Sequence, residues 1–271
     1  MRRLVNGVPA ASVAADDRGL AYGDGLFETI AVLAGRPQRL TAHFERLEHG
    51  AGRLRIPLPT RALLEAELQA VCEGLDSGVA RLVLTRGCGP RGYRPPADPK
   101  PTRIVGAEPL AGVLVRTTSP LRTTLCSTRL ARNPQFAGLK HLNRLEQVMA
   151  AAELVEGRHE EGLVLSTDGR LVGATQGNLF LMRADRLYTP DLRDCGVAGT
   201  MRAAVLAVAQ AAGIAAIVGD LGLEQLREAD GAFVCNAVRG PRPLGGVDGL
   251  AQWPQPHRLV EHLRVLLGLS G

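Results

Sequence analysis

The sequence predicts a mixed α+β (α/β) fold in two subdomains. Patterns typical of strands and of helices alternate irregularly along the 271 residues, 45% of which are hydrophobic. No internal repeat or low-complexity segment interrupts this alternation. A domain boundary is predicted between about residues 107 and 120, after a Gly/Pro-rich loop. Residues 1–112 then form a small N-terminal α/β domain and residues 113–271 a larger C-terminal domain.

The first domain begins with a hairpin pattern, RRLV and VPAASV around Asn6-Gly7, a pair that favours a type I′ turn. Residues 20–35 (LAYGDGLFETIAVLAG) predict a strand with a glycine-rich entrance. Helical spacing predicts a helix over 41–54, with Thr41 as its N-cap. The remaining predictions are a helix over 61–75, a strand over 80–86, a loop over 87–101 and strands around 103–107 and 111–117.

In the second domain, a helix is predicted directly after Lys140, over 141–157. Its predicted apolar face consists of Leu142, Leu145, Val148, Met149, Ala152 and Val155. A hairpin over 163–173 turns at Asp168-Gly169. The other predicted elements are strands over 178–182, 186–189 and 232–238 and helices over 200–212 and 257–267.

Composition excludes several classes of function. The net charge of +5 suits a small anionic substrate, whereas nucleic-acid binding is disfavoured because the arginines are spread along the chain and only 3% of residues are aromatic. The five cysteines form no CxxC or other close pair, so neither a metal site nor a disulfide framework is predicted. The chain shows no signal-peptide pattern and no membrane-spanning apolar run, which predicts a cytoplasmic protein.

Lysine is scarce: only Lys100 and Lys140 occur among the 32 basic residues. Codon bias explains this scarcity but not which positions keep a lysine. An arginine can replace a lysine as a charge but not as an amine nucleophile. Lys140 lies close to Leu139 and Leu142 in the sequence, so it is either a surface lysine with a buried stem or a reactive amine.

The glycines at 87, 89 and 92 match GxGxxG, which by itself suggests a dinucleotide site. That motif must open a helix at the pyrophosphate. Pro90 lies inside it and two more prolines follow, which prevents a helix from starting there. A dinucleotide site is therefore rejected, while Arg91 and Tyr93 in the same loop remain candidates to bind an anion and a hydroxyl group.

A series of motifs carries a resemblance that covers about residues 3–245. They are, in order, YGDGLFET (22–29), HFERL (43–47), TRGCGPRGY (85–93), KHLNRLEQ (140–147), TQGNLF (175–180), GVAGTMR (196–202) and CNAV (235–238). Together they resemble the fold-type IV pyridoxal 5'-phosphate (PLP) enzymes, which include branched-chain and D-amino-acid aminotransferases and aminodeoxychorismate lyases. KHLNRLEQ combined with RGY resembles the lyases more than the aminotransferases.

The resemblance implies a fold-type IV architecture in two subdomains, with the larger C-terminal domain binding the cofactor. Lys140 would hold PLP as an aldimine and then shuttle protons. Arg46 would contact the cofactor phosphate, as would the backbone N–H groups of Thr200 and Met201 and the side chain of Asn236. Taken singly, an arginine such as Arg46 is more often a solvated charge, and an asparagine such as Asn236 more often a turn or edge-strand residue. Thr200 is equally well interpreted as a helix N-cap.

The resemblance also implies substrate contacts for Arg91 and Tyr93. Phe27 occupies the position at which D-amino-acid aminotransferases place a substrate-contacting tyrosine. Gly173 stands in place of the family glutamate that pairs with the protonated pyridine nitrogen of PLP. A glycine cannot hold that proton, which weakens the electron sink of the cofactor. We expect a lyase to tolerate this loss better than an aminotransferase, because its product gains aromaticity.

The resulting hypothesis is a PLP-dependent carbon–oxygen lyase that converts 4-amino-4-deoxychorismate to 4-aminobenzoate and pyruvate in folate biosynthesis. The alternatives are a branched-chain or D-amino-acid aminotransferase of the same fold, and a PLP-binding homologue with weakened catalysis. The resemblance also implies a homodimer with the site between the small and large domains.

Overall fold

The hairpin predicted at the start of the chain is present in the computed structural model, which describes residues 2–114 and 119–269. Strand β1 (Arg2–Val5) pairs with β2 (Val8–Pro9), and Val5 lies opposite Val8. Asn6 and Gly7 have φ angles of 51° and 84°, as a type I′ turn requires. The second arm consists of only Val8 and Pro9, so it is shorter than predicted.

The described residues form two compact units, one of residues 2–113 and 139–143 and the other of residues 114, 119–138 and 144–269. The first unit contains one antiparallel sheet with the strand order β2-β1-β6-β5-β3-β4. Its other elements are α1 (Arg18–Tyr22), β3 (Gly25–Leu33), β4 (Arg36–Pro37), α2 (Leu40–Leu54), α3 (Arg61–Cys72), β5 (Ser77–Thr85) and β6 (Thr102–Pro109).

The core of the first unit lies between this sheet and the two longer helices. Phe44 and Leu47 of α2 and Leu64 and Leu68 of α3 are buried in one cluster with apolar side chains of β3, β5 and β6. Burying a side chain of this size stabilises a fold by about 1.5–3 kcal/mol. The apolar residues that recur at helical spacing in the sequence therefore form the face that packs on the sheet.

The second unit contains a sheet with the order β12-β11-β10-β13-β14, a sheet with the order β7-β8-β9, and the hairpin β15-β16. Pairing is antiparallel except between β7 and β8 and between β11 and β12. Its strands are β7 (Thr123–Leu130), β8 (Glu161–Ser166), β9 (Leu171–Ala174), β10 (Asn178–Arg183), β11 (Arg186–Pro190), β12 (Ala216–Gly219), β13 (Gly231–Asn236), β14 (Gly240–Pro243), β15 (Gly246–Val247) and β16 (Ala251–Gln252).

The helices of the second unit are α4 (Leu145–Ala152), α5 (Thr200–Ala211), α6 (Leu223–Arg227) and α7 (Arg258–Leu266). The main core cluster contains Leu163, Leu179 and Leu181 from the sheets together with Leu226 of α6 and Trp253. The predicted mixed α+β class is confirmed.

Several predicted boundaries in the first unit are wrong. Residues 20–22 belong to helix α1, which Asp17 caps by accepting from the Gly19 N–H, and not to the following strand. Helix α2 begins at Leu40 after Arg39, so Thr41 is inside the helix and is not its N-cap. Helix α3 ends at Cys72, before the predicted residue 75. Such ends depend on local capping that helical periodicity does not reveal.

The helix predicted over 141–157 covers only Leu145–Ala152. At its start, residues 141 and 142 take part in backbone pairing instead. His141 forms a bridge with Leu26, and the Leu142 N–H donates to Gly25 O at 3.0 Å. Residues 111–114 form turns and bends and not the predicted strand, while 115–117 lie outside the described residues. Thr200 is the first residue of α5, whose N-cap is Gly199. The described helices include none with the length and apolarity needed to cross a membrane.

Candidate active site

Lys140 lies in an irregular segment, residues 139–143, that runs beside strand β3. Its backbone carbonyl accepts a hydrogen bond from the Phe27 N–H at 3.0 Å. Its Nζ lies 4.1 Å from the centroid of the Phe27 ring, and the guanidinium carbon of Arg81 lies 5.0 Å from the same centroid. An ammonium group over an aromatic face is attracted by the ring quadrupole. The structure thus brings together Lys140 and Phe27, two residues that the sequence identified separately.

Arg46 is bound by a buried acid on the same unit. The side chain of Glu28 is 2% exposed and accepts hydrogen bonds from Arg46 Nε at 2.8 Å and from Arg46 Nη2. The buried His43 ring, one helical turn before Arg46, contacts the same carboxylate through Nδ1 at 2.6 Å. Burial alone would raise the pKa of Glu28, but the bonds to His43 and Arg46 outweigh it and lower that pKa. Glu28 therefore holds two guanidinium nitrogens of Arg46. The predicted contact of Arg46 with a phosphate stays a prediction.

Arg91 and Tyr93 lie in the loop that joins β5 to β6, and both are exposed, Tyr93 by 87%. The Tyr93 ring meets the Tyr22 ring edge-on with centroids 5.6 Å apart. The Gly92 N–H donates to the Tyr22 hydroxyl at 3.1 Å. No helix forms across the glycines at 87, 89 and 92, as Pro90 within the motif predicts.

A buried arginine that the sequence analysis missed anchors this loop. Arg18 is 3% exposed and donates to the carbonyls of Gly92 and Tyr93 at 3.0 and 2.9 Å. Its Nε donates to Asp24 Oδ2 at 2.9 Å. Asp24, in the YGDGLFET motif, is the sequence signal for this ion pair. The spacing of residues along the chain does not identify Arg18 as its partner.

In the second unit, the N-terminus of α5 has features of an anion-binding site. Its N-cap is Gly199, no side chain caps the helix, and its first turn contains no acidic residue. Among residues 2–114 and 119–269, no partner hydrogen-bonds to Thr200 Oγ1, although Thr200 is only 6% exposed. Helix N-termini present unpaired N–H groups and partial positive charge, which favour phosphate. Thr200 and the buried Met201 are the first two residues of this helix, and phosphate binding by their N–H groups stays a prediction.

Asn236 is engaged by the turn that follows β13. Its Oδ1 accepts from the Val238 and Arg239 N–H groups at 3.1 and 2.8 Å, and its Nδ2 donates to Gln176 O at 3.2 Å. This geometry is that of a turn residue. Phosphate binding by Asn236 stays a prediction.

Gly173 lies on β9 opposite Val164. A Cβ built on Gly173 would lie 2.9 Å from the carbonyl oxygen of Gly177, so the backbone leaves no space for a side chain there. The buried acid near this strand is Glu161 on β8, which accepts hydrogen bonds from the Thr175 hydroxyl and, at 3.1 Å, from the Gly162 N–H. Burial raises the pKa of Glu161, although these hydrogen bonds oppose the rise.

These features can be compared with the needs of PLP. The first unit supplies an amine, Lys140, against an aromatic ring. The second unit supplies an uncapped helix N-terminus with an unpartnered buried hydroxyl. Both fit the group, whereas position 173 offers no acid to the pyridine nitrogen. Within the described part of the chain, no cluster of His, Cys, Asp and Glu side chains is arranged to hold a metal ion.

Comparisons with known proteins show a consistent family. Residues 25–245 match the family model "amino-transferase class IV". The chain is 35% identical over 245 residues to an aminodeoxychorismate lyase of Vibrio harveyi, with 90% of each chain covered. It is 30% identical over 243 residues to a putative branched-chain-amino-acid aminotransferase of Methanocaldococcus jannaschii, covering 88% of this chain and 84% of that protein.

Among solved structures, a 4-amino-4-deoxychorismate lyase from Pseudomonas aeruginosa matches with a TM-score of 0.89 and 46% sequence identity, covering 98% of this chain and 97% of that one. The match extends over both units of the chain, as do the motifs on which the resemblance rests. The chain therefore belongs to the class IV aminotransferase family of PLP-dependent enzymes.

Proposed function

We propose that this protein is a PLP-dependent aminodeoxychorismate lyase that releases 4-aminobenzoate and pyruvate from 4-amino-4-deoxychorismate. The observation that carries the proposal is the amine of Lys140, held 4.1 Å from the Phe27 ring, in a chain that is 46% identical to a lyase of this name over 98% of its length. The assignment of a carbon–oxygen bond as the one cleaved is part of the same proposal.

When bound, PLP supplies an aldehyde that links to amines and a ring that withdraws electrons. Lys140 Nζ would hold PLP through this aldehyde, and the same amine would act as acid and base on the substrate. Nζ takes the proton lost from the substrate ring and later returns a proton to the departing enolpyruvate. The ring C–O bond breaks with its electron pair on the enolpyruvate oxygen, and protonation of the resulting enolate at its CH2 carbon gives pyruvate.

The substrate carries carboxylates, and we assign Arg91 to bind one of them. A guanidinium can bind a carboxylate through two parallel hydrogen bonds. Tyr93 is on the same loop and offers its hydroxyl. Arg18, which holds the carbonyls of Gly92 and Tyr93, fixes the backbone between these two side chains. Restricting the loop in this way lowers the entropy that substrate binding must overcome.

The proposal is tested by the release of 4-aminobenzoate from aminodeoxychorismate by wild-type protein and two lysine variants. We expect Lys140→Ala to lower the rate by about a thousandfold, because it removes the proton-transferring amine. Lys100→Ala is the matched control: its side chain is 82% exposed and pairs with Asp98 in a loop. Full activity in Lys140→Ala would contradict the proposal.

The runner-up is an amino-acid aminotransferase, which the similarity to the Methanocaldococcus jannaschii protein supports. Gly173 argues against it, since amino transfer depends strongly on the electron sink that a carboxylate at the pyridine nitrogen maintains. Transfer of an amino group from a branched-chain or D-amino acid to a keto acid, without release of 4-aminobenzoate, would identify this alternative.

We also propose that the protein is a homodimer in which helix α4 contacts a second copy. The apolar face predicted for this helix is exposed: Leu145, Val148 and Met149 are 72%, 59% and 54% exposed. Monomers rarely leave a contiguous apolar patch of this kind in water, because its burial is favourable.

The oligomeric state of a charge-bearing variant tests this interface. Val148→Glu is expected to convert a dimer to a monomer in light scattering coupled to size-exclusion chromatography, because it places a charge in an apolar contact. The matched control is Val265→Glu on α7, where the valine is 52% exposed. Dissociation by both variants or by neither would argue against the α4 face.

A further inference from the structure

The chain segment that enters helix α5 is held by hydrogen bonds on two sides. On one side, Gly138 donates to Gly196 O and accepts from the Ala198 N–H, each at 3.0 Å. On the other, Asn178 Nδ2 donates to Val197 O at 2.9 Å. The Asn178 side chain is thus the side-chain contact that fixes the carbonyl in the middle of this segment.

Asn178 and Gly199 also fit each other sterically. A Cβ built on Gly199 would lie 2.0 Å from Asn178 Oδ1, well inside van der Waals contact. Asn178 is 9% exposed and its amide is tied to Val197, so its oxygen cannot move aside as a flexible side chain would. The backbone at the N-cap of α5 therefore approaches the asparagine as closely as it does only because residue 199 is glycine.

Strand pairing and a buried neighbour anchor Asn178 in the sheet. Asn178 is the first residue of β10 and pairs with Cys235 of the neighbouring strand β13. The next residue, Leu179, is fully buried, and its carbonyl accepts from the buried Thr189 hydroxyl at 2.8 Å. Because the sheet anchors Asn178, the position of its amide is transmitted to the segment before the helix.

The segment before α5 leads directly into the N-terminus of this helix, where Thr200 lies. Within residues 2–114 and 119–269, Thr200 Oγ1 has no hydrogen-bonding partner, and no side chain caps α5. Thr200 directly follows Gly199. A shift of Val197 or Gly199 would therefore reorient the first N–H groups of the helix and the Thr200 hydroxyl together.

We propose that Asn178 is a positioning residue that holds the N-terminus of α5 in the orientation needed to bind the phosphate of PLP, acting through Val197 O and Gly199. This inference rests on the proposed PLP function. It assigns to Asn178 no contact with the cofactor itself. It predicts that loss of Asn178 weakens recognition of the phosphate and leaves recognition of the aldehyde and ring unchanged.

The experiment compares the binding of PLP and of pyridoxal, which lacks the phosphate, to apoprotein, followed by absorbance. Wild type should bind PLP more tightly than pyridoxal. In Asn178→Ala we expect the PLP affinity to fall roughly tenfold, the size of one lost hydrogen bond with the misplacement it causes, while the pyridoxal affinity stays unchanged. A general structural defect would lower both affinities by the same factor.

Thr123→Val is the matched control. Thr123 is a buried strand residue of the same unit, and its hydroxyl donates to Gly246 O at 2.6 Å, so the variant also loses one buried hydrogen bond. Its ratio of PLP to pyridoxal affinity should equal that of wild type. A changed ratio in this control would overturn the assignment to Asn178.

A second substitution, at Gly199, tests the same proposal without relying only on Asn178→Ala. Gly199→Ala should also lower PLP affinity selectively, because its Cβ meets Asn178 Oδ1. In the Asn178→Ala background that clash is absent, so adding Gly199→Ala should change PLP affinity by less than twofold. Additive effects in the double variant would overturn the proposed coupling.

The outcomes separate the two levels of the proposal. Equal loss of PLP and pyridoxal affinity in Asn178→Ala, or no loss of either, overturns the positioning role and leaves the PLP function intact. A wild-type protein that binds neither compound overturns the proposed function and this inference with it.

Discussion

Asp24 is shared by two arginines of the first unit. Its Oδ2 accepts from Arg18 Nε at 2.9 Å and from Arg86 Nε at 2.7 Å, and its Oδ1 accepts from Arg86 Nη2 at 2.9 Å. Arg86 also donates to the carbonyls of Leu54 and Arg55 at the end of α2. One carboxylate thus connects the end of a helix, the glycine-rich entrance to β3 and the loop that carries Tyr93.

This arrangement predicts a loss of stability in acid. Burial would raise the pKa of Asp24, but the hydrogen bonds and charges of Arg86 and Arg18 lower it below its usual value of 3.8. A carboxylate with a lowered pKa in the folded state stabilises the fold fully above its unfolded pKa. That contribution disappears as the pH falls through the lowered value.

We therefore expect Asp24→Asn to be less stable than wild type at pH 7, with the difference shrinking below about pH 4. The measurement is the free energy of unfolding in urea across this pH range. Asp98→Asn is the control, since Asp98 is 81% exposed and pairs only with Lys100 among its described ion-pair partners. A difference that stays constant with pH would contradict the role of the Asp24 charge.

Gly173 is a second position at which the identity of one residue affects the stability of the fold. The Gly177 carbonyl that a Cβ would meet at 2.9 Å accepts a hydrogen bond from the Ala174 N–H at 2.9 Å, so it cannot move away without losing that bond. Gly173→Ala is expected to destabilise the protein by about 1–3 kcal/mol, the usual cost of overpacking. Gly169→Ala is not a suitable control because Gly169 has a positive φ of 84°.

Thermal unfolding of Gly173→Ala beside Gly106→Ala checks this expectation, because a Cβ on Gly106 would come no closer than 3.4 Å to its neighbours. Equal stability of both variants would show that the backbone at 173 can adjust. In that case restoring the family glutamate at this position becomes feasible, and Gly173→Glu would report on the electron sink.

At the scale of an element, helix α2 is flanked at both ends by an arginine in the left-handed region. Arg39 at its N-terminus has φ 55° and Arg55 at its C-terminus has φ 54°. This conformation destabilises a residue with a Cβ by about 1 kcal/mol, whereas glycine adopts it freely. The sequence shows no glycine at either position, so the usual glycine capping signal is absent, and the predicted range 41–54 rests on apolar spacing and on Thr41 as the expected N-cap.

Arg55→Gly is therefore expected to raise the free energy of unfolding by about 0.5–1 kcal/mol, because glycine is favoured at a left-handed C-cap. The Arg55 side chain is exposed, and its carbonyl, which accepts from Arg86, is retained. Arg53→Gly, inside the last turn of the same helix, should have the opposite sign and cost about 1 kcal/mol. Urea unfolding of both variants measures the two effects, and destabilisation by both would refute the argument from backbone conformation.

For the whole molecule, cofactor binding should raise thermal stability. A ligand that binds only the folded state stabilises it by about 2.7 kcal/mol at a concentration one hundred times its dissociation constant. PLP should raise the Tm of wild type in a concentration-dependent way, and by less in Lys140→Ala, which lacks the linking amine. Pyridoxal provides the control for the phosphate. An equal shift in Tm for wild type and Lys140→Ala would contradict linkage through Lys140.

Much of the fold was predictable because its patterns are local. The hairpin at Asn6-Gly7 needs only the preference of two residues for positive φ, and the final helix, Arg258–Leu266, lies within the predicted range 257–267. The short strands and helices of the second unit, such as β12 and α6, were not predicted, since segments of four or five residues carry too little periodicity to identify.

The predicted helix after Lys140 shows the limit of periodicity most clearly. Helical spacing continues through Leu142, yet Leu142 and His141 pair with the backbone of Gly25 and Leu26. A pairing partner more than one hundred positions away in the chain is not visible to a local pattern. Conversely, the face formed by Leu145, Val148 and Met149 was predicted as apolar, but only the structure shows that it is exposed.

The sequence by itself determined the family resemblance, the mixed α+β class and the candidate amine, because motifs and the scarcity of lysine are properties of the chain. Lys140, one of two lysines among 32 basic residues, needed no structure to be noticed. Only the tertiary structure decided that its Nζ lies against Phe27, that Glu28 holds Arg46 and that Asn178 holds Val197. Each of these contacts joins residues that are distant in the chain, and folding alone determines which of the many possible partners meet.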